Sequence, residues 1–163
     1  MNIKTNDYLS VFSLPKEKFF PARVIEIFDD YHEVLNLKTK EQRKTTKIYE
    51  NNYKRFFLDD DLLTKIGFKK NQRVFKEFVL YSIGLLDIDG IGGNIVVNNF
   101  KKKSYLIKRN EIPIIENLNN DELNKFLNAK AEIIDVNQLI KNLIYEHPKV
   151  FNYEYFDKLL SEI

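Results

Sequence analysis

Four of the five glycines in the chain, Gly84, Gly90, Gly92 and Gly93, fall within ten positions around the stretch Leu85-Leu86-Asp87-Ile88-Asp89-Gly90-Ile91-Gly92-Gly93-Asn94. Glycines at that density are what a phosphate loop or a cation loop would use, so this is the first place to look for chemistry. A phosphate loop needs a helix whose N-terminus faces the anion and, in its commonest form, a Lys-Ser/Thr pair. Here Gly93 is followed by Asn-Ile-Val-Val-Asn-Asn-Phe, which has the composition of a strand. An EF-hand loop wants oxygen ligands at positions 1, 3 and 5, Gly at 6 and Glu at 12. Counting from Asp87 puts Ile91 at 5, Gly92 at 6 and Asn98 at 12. The stretch therefore reads as a hairpin turn, with Asp87 and Asp89 able to hold a cation only loosely.

Other chemistry-bearing residues are scattered. Asp59-Asp60-Asp61 resembles a metal cluster in composition, but consecutive residues of a helix point in different directions. These three suit the first turn of a helix, where negative charge is favourable. His32 and His147 have no acid or thiol at metal-ligand spacing, and there is no cysteine to supply one. None of Ser10, Ser13, Ser82 and Ser104 sits in a Gly-x-Ser-x-Gly elbow. Asp29-Asp30 and Glu41 offer only a faint carboxylate pattern in a chain with 24 acids. The reading is of a protein without catalysis and without a cofactor; an enzyme working through Asp87 and Asp89 is the third-ranked class.

The basic residues carry more. Residues 1–37 hold four Lys/Arg against six Asp/Glu, residues 38–109 hold seventeen against eight, and residues 110–163 hold five against ten. The middle is thus at +9 and the end at −5, within a net charge of +2. Lysine (21) outnumbers arginine (5), and Asn and Ile reach 18 each against three Ala, the bias of AT-rich codons. Codon bias would spread lysine evenly, so the acidic end argues that the basic middle has a purpose. Lysines that neutralise phosphates, interleaved with aromatics on which bases stack, are what single-strand binding requires. The expected contacts are Lys44, Lys47, Lys54, Arg55, Lys101, Lys102, Lys103 and Arg109, near Tyr49, Tyr53, Phe56, Phe100 and Tyr105.

These residues need a scaffold. With 44% hydrophobic and 13% aromatic residues, 163 residues suffice for a core of ordinary size. From residue 8 to 115 the apolar residues form short runs rich in β-branched and aromatic types: "YLSVF", "ARVIEIF", "EVLNL", "TTKIYE", "YKRFFL", "VFKEFVLYSI", "NIVVNNF", "SYLIK" and "IPII". Strict alternation would put Val24, Glu26 and Phe28 on one face of their strand and Arg23, Ile25 and Ile27 on the other. A short helix with Leu62, Leu63 and Ile66 interrupts the strands and stops at Gly67. After Asn117 the period turns helical. Asn119 and Glu122 form a capping box, Asp135 opens a helix with Val136, Leu139, Ile140 and Leu143 inward, and Asn152 caps a last one.

The order in "FFPARVIEIFDDYHEVLNLK", strand, acidic turn, strand, resembles the opening hairpin of small SH3-like or OB-like barrels. That resemblance implies recognition of nucleic acid or protein through a strand face and its loops. The expectation is an α+β protein: an antiparallel, barrel-like, basic body over residues 1–117, followed by three helices in an acidic segment, 118–163, packed on it as one folding unit. No apolar run reaches the roughly 18 to 20 residues of a membrane span. The first twenty residues lack the pattern of a signal peptide. A cytoplasmic protein without membrane contact is expected, meeting DNA or RNA through a basic face with low sequence specificity. A second class fits the same features: a protein-binding regulator or inhibitor, of the kind phages and plasmids carry, acting on a partner enzyme.

Overall fold

The structure, a computed structural model, describes residues 2–39, 45–75, 78–84, 92–98 and 101–163, with the side chains of 45 and 72–75 left aside. Two antiparallel sheets and five α-helices make an α+β fold. The first sheet comprises β1 (Tyr8–Ser13), β2 (Lys18–Ile27), β3 (His32–Asn36), β4 (Thr45–Ile48) and β5 (Tyr53–Arg55), in the order β4-β3-β2-β1-β5. The second comprises β6 (Lys69–Phe75), β7 (Phe78–Gly84), β8 (Gly92–Asn98), β9 (Lys103–Ile107) and β10 (Glu132–Ile133), in the order β10-β9-β8-β7-β6.

Among the described residues neither sheet closes on itself, so the closed barrel expected from the β2–β3 hairpin is not found. The sheets instead join edge to edge, through the residues that follow β5 and β10. The Leu58 N–H donates to the Ile134 carbonyl (3.2 Å) and the Val136 N–H to the Phe56 carbonyl (3.0 Å), around a bridge between Phe57 and Asp135. Edge backbone groups that would otherwise seek a partner are thereby satisfied.

Burial explains the sequence texture. Leu9, Val11, Ala22, Val24 and Val34 gather on one face of the first sheet, in a small core of its own. The second sheet is covered on both faces. Val79, Tyr81, Ile83, Ile95 and Val97 meet α1 (Asp60–Lys65), α4 (Val136–Glu146) and α5 (Tyr153–Ser161). Phe78, Leu80, Val96, Tyr105 and Ile107 meet α2 (Ile112–Glu116) and α3 (Asn120–Asn128) through Ile115, Leu123 and Leu127. A strand buried on both faces reads as a continuous apolar run, as "FVLYSI" and "IVV" do. No helix among the described residues is long and apolar enough to cross a membrane.

The helix ends follow local rules. Asp59 accepts from the Leu62 N–H (2.7 Å), and Gly67, at φ 99°, ends α1. Asn119 and Glu122 complete both halves of a capping box, while Asp135 and Asn152 cap α4 and α5. Three expectations need correction. "IPII" is the helix α2, not a strand, because Pro113 falls in the first turn, where its missing N–H costs nothing. Among the described residues the α-helices therefore number five rather than a short one and three. Lastly, a β-bulge between Val24 and Glu26 breaks the alternation of β2, so that Glu26 lies opposite Glu33.

Candidate functional site

The glycine-rich stretch sits between two paired strands. Residues 85–91, with Asp87 and Asp89, lie outside the described residues; on either side Gly84 pairs with Gly92 and Ile83 with Gly93 in a β7–β8 hairpin. Two of the glycines have packing reasons. A Cβ on Gly92 would lie 2.1 Å from the Ile83 carbonyl oxygen, and one on Gly93 would lie 2.4 Å from a methyl of Leu143 on α4. Close approach of strand to strand and strand to helix accounts for them without a ligand.

The aspartates of α1 are equally occupied. Besides the cap made by Asp59, Asp61 pairs with Lys65 (2.7 Å), and Asp60 lies 3.9 Å from Lys70. They line a cavity of about 350 Å³ together with Lys102 and Ser104. His147 ends α4 and meets the edge of Phe151 (5.8 Å between rings), while Ser82 donates to Asn94 across the β7–β8 pair (2.8 Å). A second cavity, about 240 Å³, is lined by Asp29, Asp30, Glu50, His32 and Tyr53. Burial, then the nearby Glu50 carboxylate, pushes the Tyr53 hydroxyl above its ordinary pKa. Among the described residues no group of three or more His, Asp or Glu is placed to hold a metal ion.

The structure divides the expected basic contacts rather than uniting them. Lys44 lies outside the described residues. Arg55 pairs with buried Asp135 (3.1 Å) and Lys103 with Glu132 (2.9 Å), so two of the eight are matched by acids of one short segment. Lys101 and Lys102 are exposed in the β8–β9 turn, Lys102 at φ 52° and Lys101 with its ammonium 3.5 Å from Asn124 Oδ1. Arg109 is exposed at the start of the turn Arg109–Glu111.

Lys47 and Lys54 belong to the two outermost strands of the first sheet, and each rests on an aromatic ring. The Lys47 ammonium is 4.3 Å from the centre of Tyr31, whose ring stacks on Phe28 at 4.6 Å. Its surroundings are acidic, since Glu33 stands opposite Lys47 and Glu26 opposite Glu33. The Lys54 end differs. Its ammonium lies 4.2 Å from the centre of Phe19, which is 48% exposed and leans on Phe12 (5.2 Å between rings, planes at 59°). Lys16, Lys18 and Leu14, the last 71% exposed, occupy the same β1–β2 hairpin tip, with Glu17 as the acid there.

Sequence reading missed Phe19, Lys16 and Lys18. The available signal was the alternation in "KFFPARV": Phe20, Ala22 and Val24 turn to the sheet's own core, which puts Phe19, Pro21 and Arg23 on the opposite face, where Pro21 is buried and Phe19 exposed. Arg23 is taken by the fold, because its guanidinium grips Asp157 on α5 (2.8 and 2.9 Å) and Asn6 (2.8 Å). No protein-family model, curated protein or solved structure matches this chain.

Proposed function

We propose that the protein is a binding module without catalysis that meets nucleic acid through the β1–β2 hairpin tip and adjoining edge of its first sheet, with low sequence specificity. The observation that carries this reading is the hairpin tip where the Lys54 ammonium lies over an exposed aromatic ring, Phe19, with Lys16 and Lys18 exposed in the same tip. Lysines are flexible point charges, suited to phosphates rather than to reading base edges. Lys101, Lys102 and Arg109 supply a second set of contacts, while Arg55 and Lys103 serve the fold through Asp135 and Glu132. The barrel-like reading of the first sheet belongs to the same proposal: such a sheet recognises partners by its exposed strand ends and loops.

The test is binding to fluorescent single- and double-stranded DNA and RNA across a salt series. Each phosphate contact adds about 0.7 to 0.9 to the slope of log affinity against log salt. A steep slope, lowered in Lys54→Glu and again in the Lys101→Glu, Lys102→Glu pair, supports the reading. Absence of binding at low salt overturns it. The exposed Leu14 and Phe19 would then favour the second reading, a regulator or inhibitor that docks this apolar tip on a protein and responds less to salt.

A further inference from the structure

We propose that Phe19 is a base-stacking platform and that the ligand is a single strand, an inference that rests on the nucleic-acid reading above. On binding, an unpaired base takes the ring face where Lys54 now rests, and the released ammonium moves to a neighbouring phosphate.

Three features argue for this. First, Phe19 faces outward from its strand and is 48% exposed, although the sheet has an apolar core within reach on its other side. Second, its ring has an aromatic support. Phe12, directly across in the β1–β2 register, props it at a tilt of 59°, and the strand pair fixes both backbones. A ring held in place loses little entropy when a base settles on it. Third, the group resting over the ring is a lysine, Lys54. An exposed cation–π contact shifts an equilibrium a few-fold, whereas stacking of one base on an aromatic ring is worth about five- to a hundredfold. The base therefore displaces the ammonium, which is attached to β5 within reach of the same strand of nucleic acid and gains a phosphate.

A duplex cannot use such a platform, because its bases are already paired and stacked on both faces. Lys16 and Lys18 are exposed in the same hairpin tip and add positive charge near the platform, offset in part by Glu17.

The experiment uses the full chain with oligothymidylate bearing one 2-aminopurine, whose fluorescence falls on stacking, beside a duplex of the same length. The single strand is expected to bind at least about tenfold tighter, with quenching. Phe19→Ala should cost about five- to a hundredfold in single-strand affinity, leave the salt slope and the duplex affinity unchanged, and abolish the quenching. Phe19→Tyr should restore both. Lys54→Gln should lower the salt slope by about 0.7, the share of one phosphate on a single strand. Because residue 19 is exposed, unchanged circular dichroism is expected for each variant. If nucleic acid binds but duplex is preferred, or Phe19→Ala binds as the parent does, the stacking inference falls and the broader reading stands. If nothing binds at low salt, both fall.

Discussion

Tyr8 shows how much one residue can join. Its backbone N–H donates to Asn137 Oδ1 and its carbonyl accepts from Asn137 Nδ2 (3.0 Å), so a side chain of α4 pairs with β1 as a neighbouring strand would. Its hydroxyl donates to Asp157 on α5 (2.9 Å), the carboxylate that also holds Arg23. Burial, then the charge of Asp157 and the hydrogen bond to it, raises the Tyr8 hydroxyl well above the ordinary tyrosine range. A group raised in the folded state contributes stability that is complete below its unfolded pKa, about 10, and that declines as pH rises further, because the unfolded chain releases a proton the folded one retains. Tyr8→Phe lacks this contribution. It should cost about 1 to 2 kcal/mol at pH 7, where the bond to a charged acceptor is lost. Between pH 9 and 11 the gap between the two proteins should narrow. Urea midpoints at both pH values measure it, and a gap that stays constant would show that the hydroxyl is not held by Asp157 in solution.

At the scale of elements, the glycines that begin β8 give the sharpest contrast between packing and ligand binding. Gly92→Ala drives a Cβ against the Ile83 backbone oxygen, which a side-chain rotation cannot relieve. A loss of about 1 to 3 kcal/mol is expected, the cost of overpacking a close contact, with faster hydrogen exchange confined to β7 and β8. A variant as stable as the parent would return the glycine to a ligand-binding role. The same contrast explains what could be read beforehand. The helix start at Asp59-Asp60-Asp61 and the caps at Asn119, Asp135 and Asn152 were legible because a helix start is decided by the three or four residues that follow it. The strand runs were legible because burial leaves its period in the chain. What escaped was decided at a distance or by a single inserted residue. β10 is two residues long and exists only because Ile133 finds Ser104 on β9. The bulge at Ile25 has no signature in composition. Arg55 and Lys103 looked like free cations because Asp135 and Glu132 lie 80 and 29 residues further along.

For the whole molecule, the contrast between a +9 middle and a −5 end invites the idea of acidic helices that shield a basic face until a partner displaces them. The packing argues against it. Ile133, Val136, Leu139, Ile140, Leu143, Phe151, Phe156 and Leu160 all enter the same core as Tyr81, Ile95 and the α1 leucines. At about 1.5 to 3 kcal/mol for each buried side chain, these eight represent roughly 12 to 24 kcal/mol of gross stabilisation. The net stability of a domain is about 5 to 15 kcal/mol. Detaching the segment would therefore unfold the second sheet, not uncover it. The ion pairs Arg55–Asp135, Lys103–Glu132 and Arg23–Asp157 fit the same picture, since they link the two regions at their seams while the cations of the β1–β2 tip stay outside them. A chain ending at Asn117 should accordingly show neither a cooperative urea transition nor dispersed amide resonances. Should it instead fold and bind oligonucleotides more tightly than the full chain, the C-terminal helices would be a removable cover, and the charge asymmetry a regulatory device rather than a consequence of how the two sheets are joined.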